Sequence, residues 1–213
     1  PTGSTGSSFS LFLSTLLQAM YSKDPCGMVI TATEFITAQR SLGFLAADVD
    51  GNIKVLDFDP RDSSSEGGSR LMVRADFHQP DVINQFVRCR MQTVGRGLEL
   101  KRCASYFGTS SGSVGFIAPI TRTMHDRLHL LEIQMIAWLD HSAGLNPAAF
   151  RHVVPRRGAV ADQPRGNVID GDLIYLYPAL PLQQKLALAQ LCETTEQQLT
   201  RDLLEMQLAA NIF

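Results

Sequence analysis

His125-Asp-Arg-Leu-His129 sets two imidazoles four residues apart with an acid between them, a spacing that puts both rings on one face of a helix. The pattern is formally near His-Glu-x-x-His, in which two helical imidazoles hold zinc and a glutamate serves as general base. Here the acid is Asp126, and no third ligand follows at a recognised spacing, so the pair reads as a solvated or interface face and no metal is expected. Asp140-His141-Ser142 holds the residue types of a hydrolytic triad, but consecutive side chains point apart whereas triad members converge in space. It reads as a polar helix end near Gly144. Gly95-Arg-Gly97 has no third glycine and follows no strand-to-helix transition, which argues against a dinucleotide loop. Cys26, Cys89, Cys103 and Cys192 form no Cys-x-x-Cys pair and read as reduced, mostly buried thiols of an intracellular protein. The expectation is no catalytic residue, no cofactor, no small-molecule substrate and no enzyme.

Charge is concentrated elsewhere. Arg151, His152, Arg156, Arg157 and Arg165 lie in one loop, and Asp170 and Asp172 follow directly. Arg151, Arg156, Arg157 and Arg165 are candidate contacts to RNA or a protein partner, each adding a salt-sensitive phosphate term without base reading. The opposing reading pairs the arginines with the aspartates and ties the loop down. The chain as a whole carries 19 Lys and Arg against 21 Asp and Glu, a formal charge of −2. With a pI near 6.2 it has no basic excess, so any nucleic-acid contact must be local. No apolar run reaches the ~18 residues of a membrane-spanning helix, and no membrane partner is expected. Pro1 to Ser8 is almost all Thr, Gly and Ser, the composition of an excerpt's start or a floppy entry segment.

The elements that must position these residues change character along the chain. Leu42–Asp48 and Ile53–Phe58 are short apolar runs flanking Val49-Asp-Gly-Asn52, and Asp-Gly supplies the positive φ of a tight hairpin turn. Cys103–Gly108 and Val114–Ile117 flank Thr109-Ser-Ser-Gly-Ser113 in the same way, with strand candidates Leu71–Asp76 and Val82–Val87 between the two pairs. Strands of a preceding layer are expected at Leu13–Met20 and Met28–Phe35. Asp62–Ser69 reads as a solvated, mobile insertion. Such spacing suits stacked four-stranded propeller blades, and a β-sandwich would show much the same.

After Pro119 the period becomes helical. Thr123 and Asp126 make a capping-box-like start, and Met124, Leu128, Leu131, Met135 and Trp138 recur at helical steps up to Gly144. Leu182, Leu186 and Ala189 mark a second helix, and Thr194 or Thr195 caps a last one carrying Leu199, Leu203 and Met206. The last two superficially resemble a helix-turn-helix, but Glu196, Asp202 and Glu205 against one Arg201 would repel phosphate. Asp170-Gly-Asp-Leu173 reads as a turn plus helix start, with a carboxylate accepting backbone N–H bonds.

Two stretches, Ala143-Gly-Leu-Asn-Pro-Ala-Ala-Phe-Arg151 and Asn167-Val-Ile-Asp-Gly-Asp-Leu173, resemble the C-terminal region of the CPSF A-subunit family, which includes the largest subunit of the cleavage and polyadenylation specificity factor. The large subunit of the damage-specific DNA-binding protein and the propeller scaffold of the U2-associated splicing factor share the second stretch. Further matches are Leu42-Gly-Phe-Leu45, Arg74-Ala-Asp-Phe-His78 and Phe213. The resemblance decides for the propeller: an α+β chain with a partial β-propeller, residues 1–120 forming terminal blades of antiparallel strands, and a small C-terminal helical domain in 121–213. Asn146, Pro147, Phe150, Asp170, Gly171, Asp172 and Leu173 are its structural motif residues. The resemblance also implies a nuclear, non-enzymatic scaffold that holds WD-repeat and zinc-finger subunits of the cleavage and polyadenylation machinery, with pre-mRNA contacted indirectly. Direct RNA binding through the Arg151–Arg165 loop, and an adaptor role in a ubiquitin ligase, stand as alternatives.

Overall fold

A computed structural model describes residues 13–15, 18–20, 29–38, 41–90, 103–139, 144–153 and 167–210. Two three-residue strands, β1 (Leu13–Thr15) and β2 (Gln18–Met20), pair antiparallel. Strands β3 (Ile30–Ala38), β4 (Ser41–Asp48), β5 (Asn52–Asp57) and β6 (Met72–His78) form a four-stranded sheet in chain order, each antiparallel to the next. A three-stranded sheet holds β7 (Ile83–Arg90), β8 (Cys103–Thr109) and β9 (Val114–Ile117) in that order. The chain divides into two compact units, Pro1–Arg88 with Ser105–Gly115 and Val153–Asn167, and Cys89–Ala104 with Phe116–His152 and Val168–Phe213.

In the first unit β4 is buried from Gly43 to Asp48, which suits its near-continuous apolar run to a central strand covered on both faces. Phe44, Ala46, Leu56, Leu71 and Val73 make a core, with Ile30 and Phe58 against it. Each fully buried large side chain there contributes about 1.5–3 kcal/mol by leaving water. The hairpin expected at Asp50-Gly51 is present but is wider than a two-residue turn, because only Gly51 of its loop takes a positive φ. The buried Asp48 carboxylate organises it, accepting from the backbone N–H of Asp50 at 3.0 Å and of Asn52 at 2.8 Å.

Two expectations, the preceding strands and the polar insertion, change. Met28–Phe35 does not build a preceding layer: β3 joins the sheet of β4–β6, and Leu13–Met20 is two short strands paired with each other. Strands β6 and β7, adjacent in sequence, lie in different sheets. Pro80 between them has no N–H to extend a ladder, and Asp81 turns the chain by accepting from Val82 N–H at 2.8 Å and Ser111 N–H at 2.9 Å. Asp62–Ser69 is not a wholly solvated insertion. It contains the 3₁₀ segment Ser63–Gly68, capped by Asp62, with Ser65 and Gly68 buried.

The second unit is helical. Helix α1 (Arg122–Trp138) buries Met124, Leu128, Leu131 and Met135. The cap is Thr121 rather than Thr123: its hydroxyl accepts from Met124 N–H at 3.3 Å. Short helices α2 (Pro147–Phe150) and α3 (Gly171–Ile174) precede α4 (Leu182–Leu191) and α5 (Glu196–Ala210). One core unites the α1 residues with Leu173, Ile174, Tyr177, Leu188, Ala189, Cys192, Leu199 and Leu203. The Tyr177 hydroxyl donates to the Lys185 carbonyl at 3.1 Å. Thr195 caps α5, accepting from Gln198 N–H. Trp138, Leu182 and Leu186, three of the residues that mark the helical period, are exposed. The buried side of α4 is formed by Leu188 and Ala189, so the spacing located the helix and, of its three marker residues, placed only Ala189 on the inward face.

Candidate functional site

Asn146 starts α2 by accepting Ala148 N–H at 2.9 Å, and Pro147 occupies the first turn, where its missing N–H costs nothing. Arg151 is the C-cap of that helix. Its guanidinium reaches Asp170 twice, at 2.8 and 3.2 Å, and Asp172 at 2.7 Å, and stands 5.4 Å from the Phe150 ring centroid. Burial pulls the Arg151 pKa down, but the hydrogen bonds and charges of Asp170 and Asp172 outweigh it and leave the group above its usual value. This is the bidentate geometry for which a guanidinium is shaped.

Asp170 does two things with one carboxylate. It caps α3, accepting from Asp172 N–H at 3.1 Å, and it anchors Arg151. Its own backbone N–H donates to Glu132 of α1 at 2.8 Å. Leu173 of the same motif enters the helical core, while Asp172 is largely exposed. Gly171 follows the cap. The motif residues Asn146, Pro147, Phe150, Asp170, Gly171, Asp172 and Leu173 therefore form two helix starts, joined through Arg151. Arg156, Arg157 and Arg165 lie outside the described residues, as do Cys26, Gly95-Arg-Gly97 and Asp140-His141-Ser142.

His125 and His129 stack with ring centroids 5.6 Å apart. Each faces an acid of its own helix, His125 Nδ1 lying 3.5 Å from Asp126 and His129 Nδ1 3.3 Å from Glu132. Among the described residues no group of three or more His, Cys, Asp or Glu side chains is arranged to hold a metal ion. Of the cysteines described, Cys192 is buried and Cys89 and Cys103 are half-buried, all as free thiols.

Sequence reasoning missed one polar site. Asp202, counted above among the acids that would repel phosphate, is only 2% exposed. It takes Arg127 in a bidentate pair at 2.8 and 3.0 Å and the Gln198 amide at 2.9 Å. The hydrogen-bonded carboxylate holds the Arg127 pKa above its ordinary value. A signal was present: Asp202 falls between Leu199 and Leu203, on the buried phase of its helix, where an acid needs a cationic partner.

Antiparallel sheet and a helical unit make this an α+β protein whose described polar clusters are ion pairs, helix caps and turn-organising carboxylates. The family model of the CPSF A subunit region matches residues 19–178, which takes in both motif stretches. The chain belongs to the CPSF A subunit family. It is 32% identical over 188 residues to cleavage and polyadenylation specificity factor subunit 1 of Arabidopsis thaliana, covering 88% of this chain and 13% of that protein. Against the Drosophila melanogaster protein of the same name it is 28% identical over 202 residues, 92% of this chain and 14% of the relative. Protein cft1 of Aspergillus oryzae is 26% identical over 197 residues, 86% and 14%. The chain thus spans about a seventh of the length of these relatives.

Proposed function

We propose that this chain is a non-enzymatic scaffold segment of the nuclear machinery that cleaves and polyadenylates pre-mRNA 3′ ends. The observation that carries the reading is the family match across residues 19–178, joined to relatives whose names place them in a cleavage and polyadenylation specificity factor. Residues 1–120 act as terminal blades of a propeller and 121–213 as the helical domain that follows in the chain. The chain-ordered antiparallel sheet β3–β6 has the strand layout of one blade, which supports this. The segment helps dock WD-repeat and zinc-finger subunits, and pre-mRNA is contacted through them.

Direct RNA binding by the loop is the weaker reading on the geometry of Arg151. Its guanidinium is engaged by Asp170 and Asp172, which leaves Arg156, Arg157 and Arg165 as the residues to test. Affinity capture of the full-length chain, followed by mass spectrometry, should recover cleavage and polyadenylation subunits; recovery of ubiquitin-ligase subunits instead would overturn the proposal. In a parallel RNA titration, Arg156→Glu/Arg157→Glu should bind like the wild type, and a salt-dependent loss of affinity would favour the RNA-binding reading.

A further inference from the structure

Helix α2 buries none of its side chains. Leu145 and Phe150 point outward, Phe150 being 57% exposed. A four-residue helix without packing does not persist in water, because nucleation costs more than one turn of hydrogen bonds returns. Yet α2 is formed, with Ala149 N–H donating to Asn146 O at 3.1 Å and Arg151 N–H to Ala148 O at 3.3 Å. Among the described residues it is joined to the packed helices through the residue at its end. Arg151 holds Asp170, Asp170 caps α3, and the Asp170 N–H holds Glu132 on α1. Leu173, three residues past the clasp, sits in the core, whereas no α2 side chain is buried.

We infer that Arg151 is a latch: its ion pair with Asp170 and Asp172 is what keeps the Asn146–Arg151 segment folded against the helical unit, and opening the pair releases α2 while the core stays intact. The inference does not depend on the RNA-processing role. A positioning device of this kind predicts a local effect, whereas an ion pair that merely adds to global stability predicts a uniform one.

The test is hydrogen–deuterium exchange on the full chain, comparing wild type with Arg151→Gln/Asp170→Asn. Asn is an equally good helix cap, so α3 keeps its start and no buried charge is left alone. The amides of Ala148 to His152 should exchange faster by about tenfold or more while those of α1 and α5 keep their wild-type rates. Unchanged exchange in α2 would overturn the inference, and so would equal acceleration in α1 and α5. Should the double variant fail to fold, Arg151→Lys serves in its place, since an ammonium keeps the charge but loses the fork. Acceleration confined to α2 supports the latch, and wild-type exchange there refutes it.

Discussion

Replacing Arg127 by Met while leaving Asp202 in place strands a carboxylate that is 2% exposed, with the Gln198 amide as its remaining described partner. Removing one partner of a buried pair costs about 3–5 kcal/mol, because the desolvated charge stays behind. The Arg127 side chain is 29% exposed, so solvent already screens part of the interaction and the lower end, about 3 kcal/mol, is expected. Substituting both residues, Arg127→Met with Asp202→Leu, removes the stranded charge and should restore most of the loss, to within about 1 kcal/mol of wild type. Urea unfolding followed by far-UV circular dichroism reads this directly. At a slope near 2 kcal/mol per M the single variant's midpoint falls by roughly 1.5 M. A single variant within about 1 kcal/mol of wild type, or a double variant as unstable as the single, would refute the reasoning that Asp202 is tolerated in the core only through Arg127.

Other positions make sharper local claims. Gly51 has φ of +79°, and a Cβ there would lie 2.3 Å from the Gln79 carbonyl oxygen, so Gly51→Ala should destabilise the first unit by about 2 kcal/mol or more in the same urea assay. Asp81 is lowered to about 2 by hydrogen bonds from the Ser111 and Thr109 side chains and the Ser111 and Val82 N–H groups. A depressed carboxylate stabilises the fold above its unfolded pKa, and the contribution fades as pH falls through about 2; Asp81→Asn should therefore flatten the stability profile across the acid range below about pH 4. Tyr177 is pushed up to about 12, chiefly by burial and secondarily by Glu196 and Cys192. Its contribution is whole below the unfolded pKa near 10 and lost as pH rises through about 12, so Tyr177→Phe should cost about 1 kcal/mol at neutral pH and remove the alkaline transition.

The residues show why parts of the fold were legible and others were not. The strand pairs around Gly51 and Gly112 announced themselves because short apolar runs and a positive-φ glycine are local properties. Asp170 as a helix cap followed from its neighbours alone. The sheet change at Pro80, by contrast, depends on Ser111, thirty positions away, donating to Asp81. The inward face of α4 depended on which helix it met: of Leu182, Leu186 and Ala189, which the spacing marked, only Ala189 is buried.

Residue order by itself determined the switch from strand to helix near Pro119, the helix start at Asp170, and the family, because each rests on contiguous side chains and turn chemistry. Only the tertiary structure decided which charges are held. Arg151 meets Asp170 across 19 positions and Arg127 meets Asp202 across 75. Nothing local distinguishes a solvated arginine from a clasped one, since the difference is the low-dielectric surroundings that distant packing creates.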